Sequence, residues 1–217
     1  FFRSITFASS IVISVAALAA FGGFLFLNTL YLQQARGLSP VQAGLATVPM
    51  ALMTVIASPL SGRLVGRRGP RLPLLIAGTS MIAGCILLTG LGPATPLGLL
   101  FLAYVLFGLG FGCVNAPITN AAVSGMPRAQ AGVAAAIATT SRQVGQTLGV
   151  AVVGAIVTSH VGASVPADLS SASHPAWWTL TACGGVVLVL GFLTTTSRAT
   201  ASARRTAAAL NPEALVA

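Results

Sequence analysis

Six apolar segments, each long enough to cross a lipid bilayer, alternate with short connections, and nearly all the positive charge lies on every second connection. The basic residues are eleven arginines; the chain has no lysine. Arg3 precedes the first segment, and Arg63, Arg67, Arg68 and Arg71 separate the second from the third. Arg128 lies between the fourth and fifth, and Arg198, Arg204 and Arg205 follow the sixth. The other connections hold Arg36 alone, and Arg142 falls inside the fifth segment. Basic residues gather on the cytoplasmic side of multi-span proteins. The pattern therefore predicts an all-α integral membrane protein with six transmembrane helices and both termini in the cytoplasm. Only 6% of residues are charged, against about 25% in soluble domains. A mean hydropathy of +0.92 leaves too little polar surface to cover a water-soluble core. The net charge of +9 is scattered over connections rather than gathered on the single face that nucleic-acid binding requires. Contact with anionic membrane lipids accounts for it.

A span needs about 20 apolar residues to cross about 30 Å of hydrocarbon. The segments run over 6–33, 41–64, 72–91, 97–122, 130–159 and 176–197, forming one bundle within residues 1–197. Residues 198–217 form an Ala- and Arg-rich cytoplasmic tail, expected to be weakly structured. Connections are short except for an outer loop at His160–Pro175, so consecutive helices are expected to be antiparallel neighbours. Ser39, Pro40 and Gln42 form a capping-box pattern with proline at the first helical position. Pro49, Pro59 and Pro117 lie inside spans and are expected to kink them. Trp177 and Trp178 stand where an outer aromatic belt belongs. Cys85, Cys113 and Cys183 lie within spans and read as small apolar side chains. The chain opens Phe-Phe-Arg, without an initiator Met or a signal peptide, and reads as a piece of a larger protein.

Polar side chains deep in a span are costly and face the bundle interior or a wet cavity. On the fourth span Gly108, Gly112, Asn115 and Thr119 share one helical stripe, with Pro117 beside it. This is either a cavity wall with a flexible point or a close-packing seam of the Gly-x-x-x-Gly kind. On the fifth span Thr139, Arg142, Gln143 and Gln146 recur at helical spacing, with Gly145 and Gly149 on an adjacent face. Arg142 lies about 12 residues, or roughly 18 Å of helix, from the cytoplasmic end. A guanidinium there costs at least about 2.5 kcal/mol on insertion scales and needs a partner or water. It is either a structural arginine bonded to carbonyls or a substrate, ion or gating residue. On the first span Asn28 reads as cavity-lining, while Tyr31, Gln33 and Gln34 are either polar lining or interfacial anchors.

Chemistry of other kinds finds no support. The only acids are Asp168, in the outer loop, and Glu213, in the tail. His160 and His174 also fall in the outer loop, and no metal-ligand spacing occurs. A Walker-type phosphate loop needs a lysine, and no G-x-S-x-G elbow is present. Neither an enzyme nor a cofactor is expected.

Three stretches carry a resemblance. They are TLYLQQARGLSPVQAGLATVPMAL (29–52), GLGFGCVNAPITNAAV (108–123) and SRQVGQTLGVAVVGAIV (141–157). Together they resemble the C-terminal six-helix bundle of the major facilitator superfamily, nearest the fourteen-span drug:proton antiporters of the EmrB/QacA type. SGRLVGRRGPR (61–71) is similar to the superfamily's cytoplasmic loop motif G-R-x-x-D-R-x-G-R, through Gly62, Arg63, Arg67, Gly69 and Arg71. Gly66 stands where the motif has an aspartate that pairs with arginine, so a charge relay through this loop is in doubt.

The resemblance implies half of a two-bundle fold in a bacterial inner or plasma membrane, rocking about a central site near the midplane. It implies proton-driven export of amphipathic, often cationic, small molecules. The candidate cavity or gating residues would be Asn28, Asn115, Thr119, Thr139, Arg142, Gln143 and Gln146. Gly108, Gly112, Pro117, Gly145 and Gly149 would serve packing and hinging. A proton carrier needs a carboxylate or histidine of tunable pKa in the cavity. The spans hold none, so the coupling acid is expected in an N-terminal bundle of the same protein. An uptake permease of the same superfamily and a self-standing six-span scaffold are the alternatives.

Overall fold

The computed structural model describes residues 5–92, 95–123, 131–160 and 165–194. Arg3, Arg128, Arg198, Arg204, Arg205, Glu213 and the tail lie outside the described residues, as do the side chains of His160 and Asp168. Seven helices follow in order. They are α1 (Ile5–Leu30), α2 (Pro40–Ala46), α3 (Val48–Arg68), α4 (Arg71–Thr89), α5 (Leu97–Val123), α6 (Ala131–His160) and α7 (Val165–Thr194). Among the described residues five helical stretches are long and apolar enough to cross a membrane, α2 and α3 counting as one. The exception is α6. Its 30 residues are ample in length, but Arg142, Gln143 and Gln146 lower its hydropathy. The helix that falls short as a span is therefore the one carrying the intramembrane arginine.

The second apolar segment is not one helix. Ser39 caps α2, its Oγ accepting from the Gln42 N–H at 3.3 Å while Gln42 Oε1 accepts from the Ser39 N–H at 3.0 Å. The chain breaks at Thr47, and α3 begins with Pro49 in its first turn, where the missing N–H has no intrahelical partner to lose. Pro49 thus starts a helix instead of kinking one, while Pro59 and Pro117 stay inside helices. The expected outer loop at His160–Pro175 also differs, since α7 begins at Val165 and runs through Pro175.

At the centre, α1 and α5 pack on each other, with α4 and α7 against them. α3 lies on α5, and α6 on α1. Phe24 of α1 stacks on Phe107 of α5 at 4.2 Å and meets Trp177 of α7 edge-on at 5.9 Å. Trp177 is fully buried and Trp178 is exposed, so only Trp178 is placed to serve as a belt residue. Trp177 instead carries aromatic area into the core.

Glycines set how closely the outer pairs approach. A Cβ at Gly108 would run into the Met50 carbonyl oxygen, and one at Gly112 would lie 2.7 Å from Ala57 Cβ. Thr54 Oγ1 donates to the Gly108 carbonyl at 3.1 Å across this seam. Pro117 lacks the N–H that would bond Cys113 O one turn back; the buried Ser61 hydroxyl of α3 donates to that carbonyl at 2.7 Å. The α1–α6 crossing is built the same way. A Cβ at Gly22 would lie 2.5 Å from Gln146 O, one at Gly145 would lie 2.5 Å from Val15 O, and one at Gly149 would strike Ala19 O.

Candidate functional site

The polar residues of α5 and α6 separate into groups with different partners. Gly108 and Gly112 belong to the α3 seam, while Thr119, two turns further on, meets α6. Arg142 Nη2 donates to Thr119 Oγ1 at 2.8 Å. Thr119 in turn donates to Asn115 O at 2.9 Å, and Asn115 Nδ2 donates to Phe111 O at 2.9 Å. Arg142 is half-buried, and its Nε, shielded from solvent, has no acceptor among the described residues. Among the described residues the Arg142 side chain is bonded to a hydroxyl and to no carbonyl, and its Nε is without an acceptor.

Gln143, Gln146 and Thr147 are exposed next to it. With Val150 and Ala151 they border an open groove of about 560 Å³. Gln146 and Val150 also wall a second hollow of about 310 Å³, whose other sides come from α1, chiefly Leu25, Phe26 and Thr29. The two hollows share Gln146 and Val150 of α6 in their walls. Thr139 is exposed one turn before Arg142 and bonds its own helix at Ala135 O; it borders neither hollow. Thr147 and Phe26 were not singled out from the sequence. Thr147 lies at i+4 from Gln143, which could have placed it on the same face.

Asn28 is buried, and its Oδ1 accepts from the Tyr104 hydroxyl. The α1–α5 crossing sets the two side chains opposite each other, and Asn28 borders neither of these two hollows. Tyr31 is buried too. It sits in a π-helical turn, Tyr31–Ala35, that closes α1. Its hydroxyl donates to Gly92 O at 2.8 Å and accepts from Arg36 Nε at 3.0 Å. Arg36 Nη2 also donates to Thr95 O, and the Gly92 N–H donates to Thr95 Oγ1 at 2.8 Å. This cluster ties the end of α1 to the α4–α5 connection.

The arginine-rich motif is helical rather than a loop. Gly62, Arg63, Gly66 and Arg67 belong to the last turns of α3, and only Gly69, at φ +80°, and Pro70 separate α3 from α4. Arg63, Arg67 and Arg71 are exposed, and the Arg71 guanidinium lies over the Phe192 ring at 5.0 Å. A Cβ at Gly66 would meet open space. Among the described residues no group of three His, Cys, Asp or Glu could hold a metal ion.

Residues 1–150 match the profile of the Major Facilitator Superfamily. The chain is 34% identical over 174 residues to the tetracenomycin C resistance and export protein of Streptomyces glaucescens, covering 80% of this chain and 32% of that protein. It is 33% identical over 171 residues to the multidrug resistance protein Stp of Mycobacterium tuberculosis, covering 79% and 32%. It is 38% identical over 159 residues to the puromycin resistance protein pur8 of Streptomyces alboniger, covering 71% and 31%. The chain thus spans about a third of the length of the curated relatives it matches.

Proposed function

Because this chain belongs to the Major Facilitator Superfamily, we propose that it is part of a secondary transporter that exports drugs or other amphipathic small molecules by alternating access, driven by inward proton flow. The observation that carries this reading is Arg142. It holds one threonine hydroxyl and lies one helical turn before Gln146, which with Gln143, Thr147, Val150 and Ala151 lines an open groove that Arg142 itself does not border. A lone intramembrane charge is a functional site by default, and a concave, mostly apolar surface with a few polar groups is what a small-molecule site requires.

The flanking helices support a partner bundle. Only 17% of the α2–α3 span is buried, against 56% of the α1 span and 50% of the α5 span. Val55, Ile56 and Leu60 of α3 and Val144, Leu148 and Val152 of α6 are exposed. These faces meet the N-terminal bundle in our reading, and the groove then lines a cavity between the two halves. Among the described residues no span contains a carboxylate, so the proton-carrying acid belongs to the N-terminal half. A fourteen-span count for the whole protein follows from the resemblance and is part of the same proposal.

Inside-out vesicles holding the full-length protein test the reading. Energisation should drive dye into the lumen, and a protonophore should abolish the uptake. Dye movement in the opposite direction would replace export by uptake, and no energised movement of any dye would overturn the transport reading.

A further inference from the structure

Resting on that reading, we infer that this half of the cavity selects compounds bearing an acidic group, which Arg142 receives, with an apolar body laid along α1 and α6. The resemblance implies cationic substrates; the charges on the page point the other way. The Arg142 side chain is a planar guanidinium with five N–H donors. It makes one hydrogen bond, to the Thr119 hydroxyl, among the described residues. Its planar fork matches a carboxylate or phenolate oxygen far better than a neutral hydroxyl. The neighbours that border the groove, Gln143, Gln146 and Thr147, are neutral. The chain's two acids, Asp168 and Glu213, lie outside the described part of the bundle's spans. Nothing described here neutralises a bound cation, and a cation beside Arg142 meets like charge in a medium that screens it poorly.

The apolar part of the ligand follows from the second hollow. Leu25, Phe26 and Val150 wall it, and the crossing of α1 on α6 at Gly22 leaves no side chain between them. Phe26 offers a ring for a flat body to stack on. Gln146 is shared by the walls of both hollows, and its amide can bond a polar edge midway along the ligand. A planar polycyclic acid fits this order of charge, amide and ring.

The test compares two probes that share a xanthene body and differ in charge, fluorescein as the anion and rhodamine 123 as the cation. Binding to purified full-length protein is followed by anisotropy at neutral pH. We expect the anion to bind about tenfold more tightly, the size of one charge-assisted contact in a partly wet site. R142Q should collapse that preference to about twofold, and R142K, which keeps the charge without the fork, should keep only part of it. Thermal melting of each variant separates lost recognition from lost folding. Equal binding of the two probes, or tighter binding of the cation, overturns the inference. So does an R142Q variant that weakens both probes by the same factor, since the guanidinium would then be paired with a carboxylate elsewhere in the protein. Anion-selective binding without energised vesicle uptake upholds the acid site and overturns the export reading instead.

Discussion

Arg36 and Arg142 are the same side chain used in opposite ways. Arg36, at the end of α1, spends its donors on the Tyr31 hydroxyl and the Thr95 carbonyl, and lies 5.6 Å from the Tyr31 ring centre. Arg142, on α6, holds one threonine hydroxyl and keeps its Nε idle. A charge with its partners supplied by the fold is a fastener, because removing it strands the carbonyl and hydroxyl it satisfied. A charge that the described residues leave short of partners is open to a group from elsewhere, the role proposed for Arg142. In that proposal partner count, rather than burial or depth, separates the two arginines.

The contrast can be broken from several directions. The largest effect should come from Gly149→Val, which forces a branched side chain into the Ala19 carbonyl and should cost about 3 kcal/mol or more by overpacking. Thermal melting should drop, while hydrogen exchange at Gly92 and Thr95 changes little, since the Arg36 cluster does not touch that crossing. Arg142→Ala should reduce transport by the full-length protein about a hundredfold, the scale of a charge-assisted bond. Membrane insertion should be intact, because the span becomes easier to insert; normal transport would return Arg142 to a structural role. Arg36→Ala should do the reverse, lowering stability by about 2 kcal/mol, read as a shift in melting temperature. A variant as stable as the parent would dissolve the distinction. Thr119→Val should have a smaller effect, about 1 kcal/mol, seen as changed ligand affinity at constant melting temperature. Gly66→Asp should do least, about 0.5 kcal/mol at an exposed ion pair with Arg63 or Arg67, detectable only as a salt-sensitive shift.

Fold class was legible because hydropathy is a local property. A run of apolar residues announces a membrane helix wherever its neighbours are, and Ser39 with Gln42 announced the start of α2 from four residues. Facing was not legible. Asn28 was placed at a cavity because its depth could be counted, but its partner Tyr104 lies 76 positions away and appears only once α1 crosses α5. Gly108 and Gly112 carry the same spacing whether they clear a channel or seat a neighbour, and only Met50 and Ala57 of α3 decide it. Tyr31 read equally as polar lining or as an interfacial anchor; its bond to Gly92 O, from another connection, appears only in the fold. Arg142, Gln143 and Gln146 could be singled out from the sequence because intramembrane polarity is rare enough to stand out, whatever faces it.

The crossing of α1 on α6 limits how this surface can change over generations. Gly22, Gly145 and Gly149 cannot vary without driving the helices apart, so that side of the wall is frozen. The freedom lies at Gln143, Gln146, Thr147 and Val150, exposed positions spaced along two turns of one helix. Substitutions at those positions change the exposed face of α6 and leave the glycine-seated scaffold beneath undisturbed.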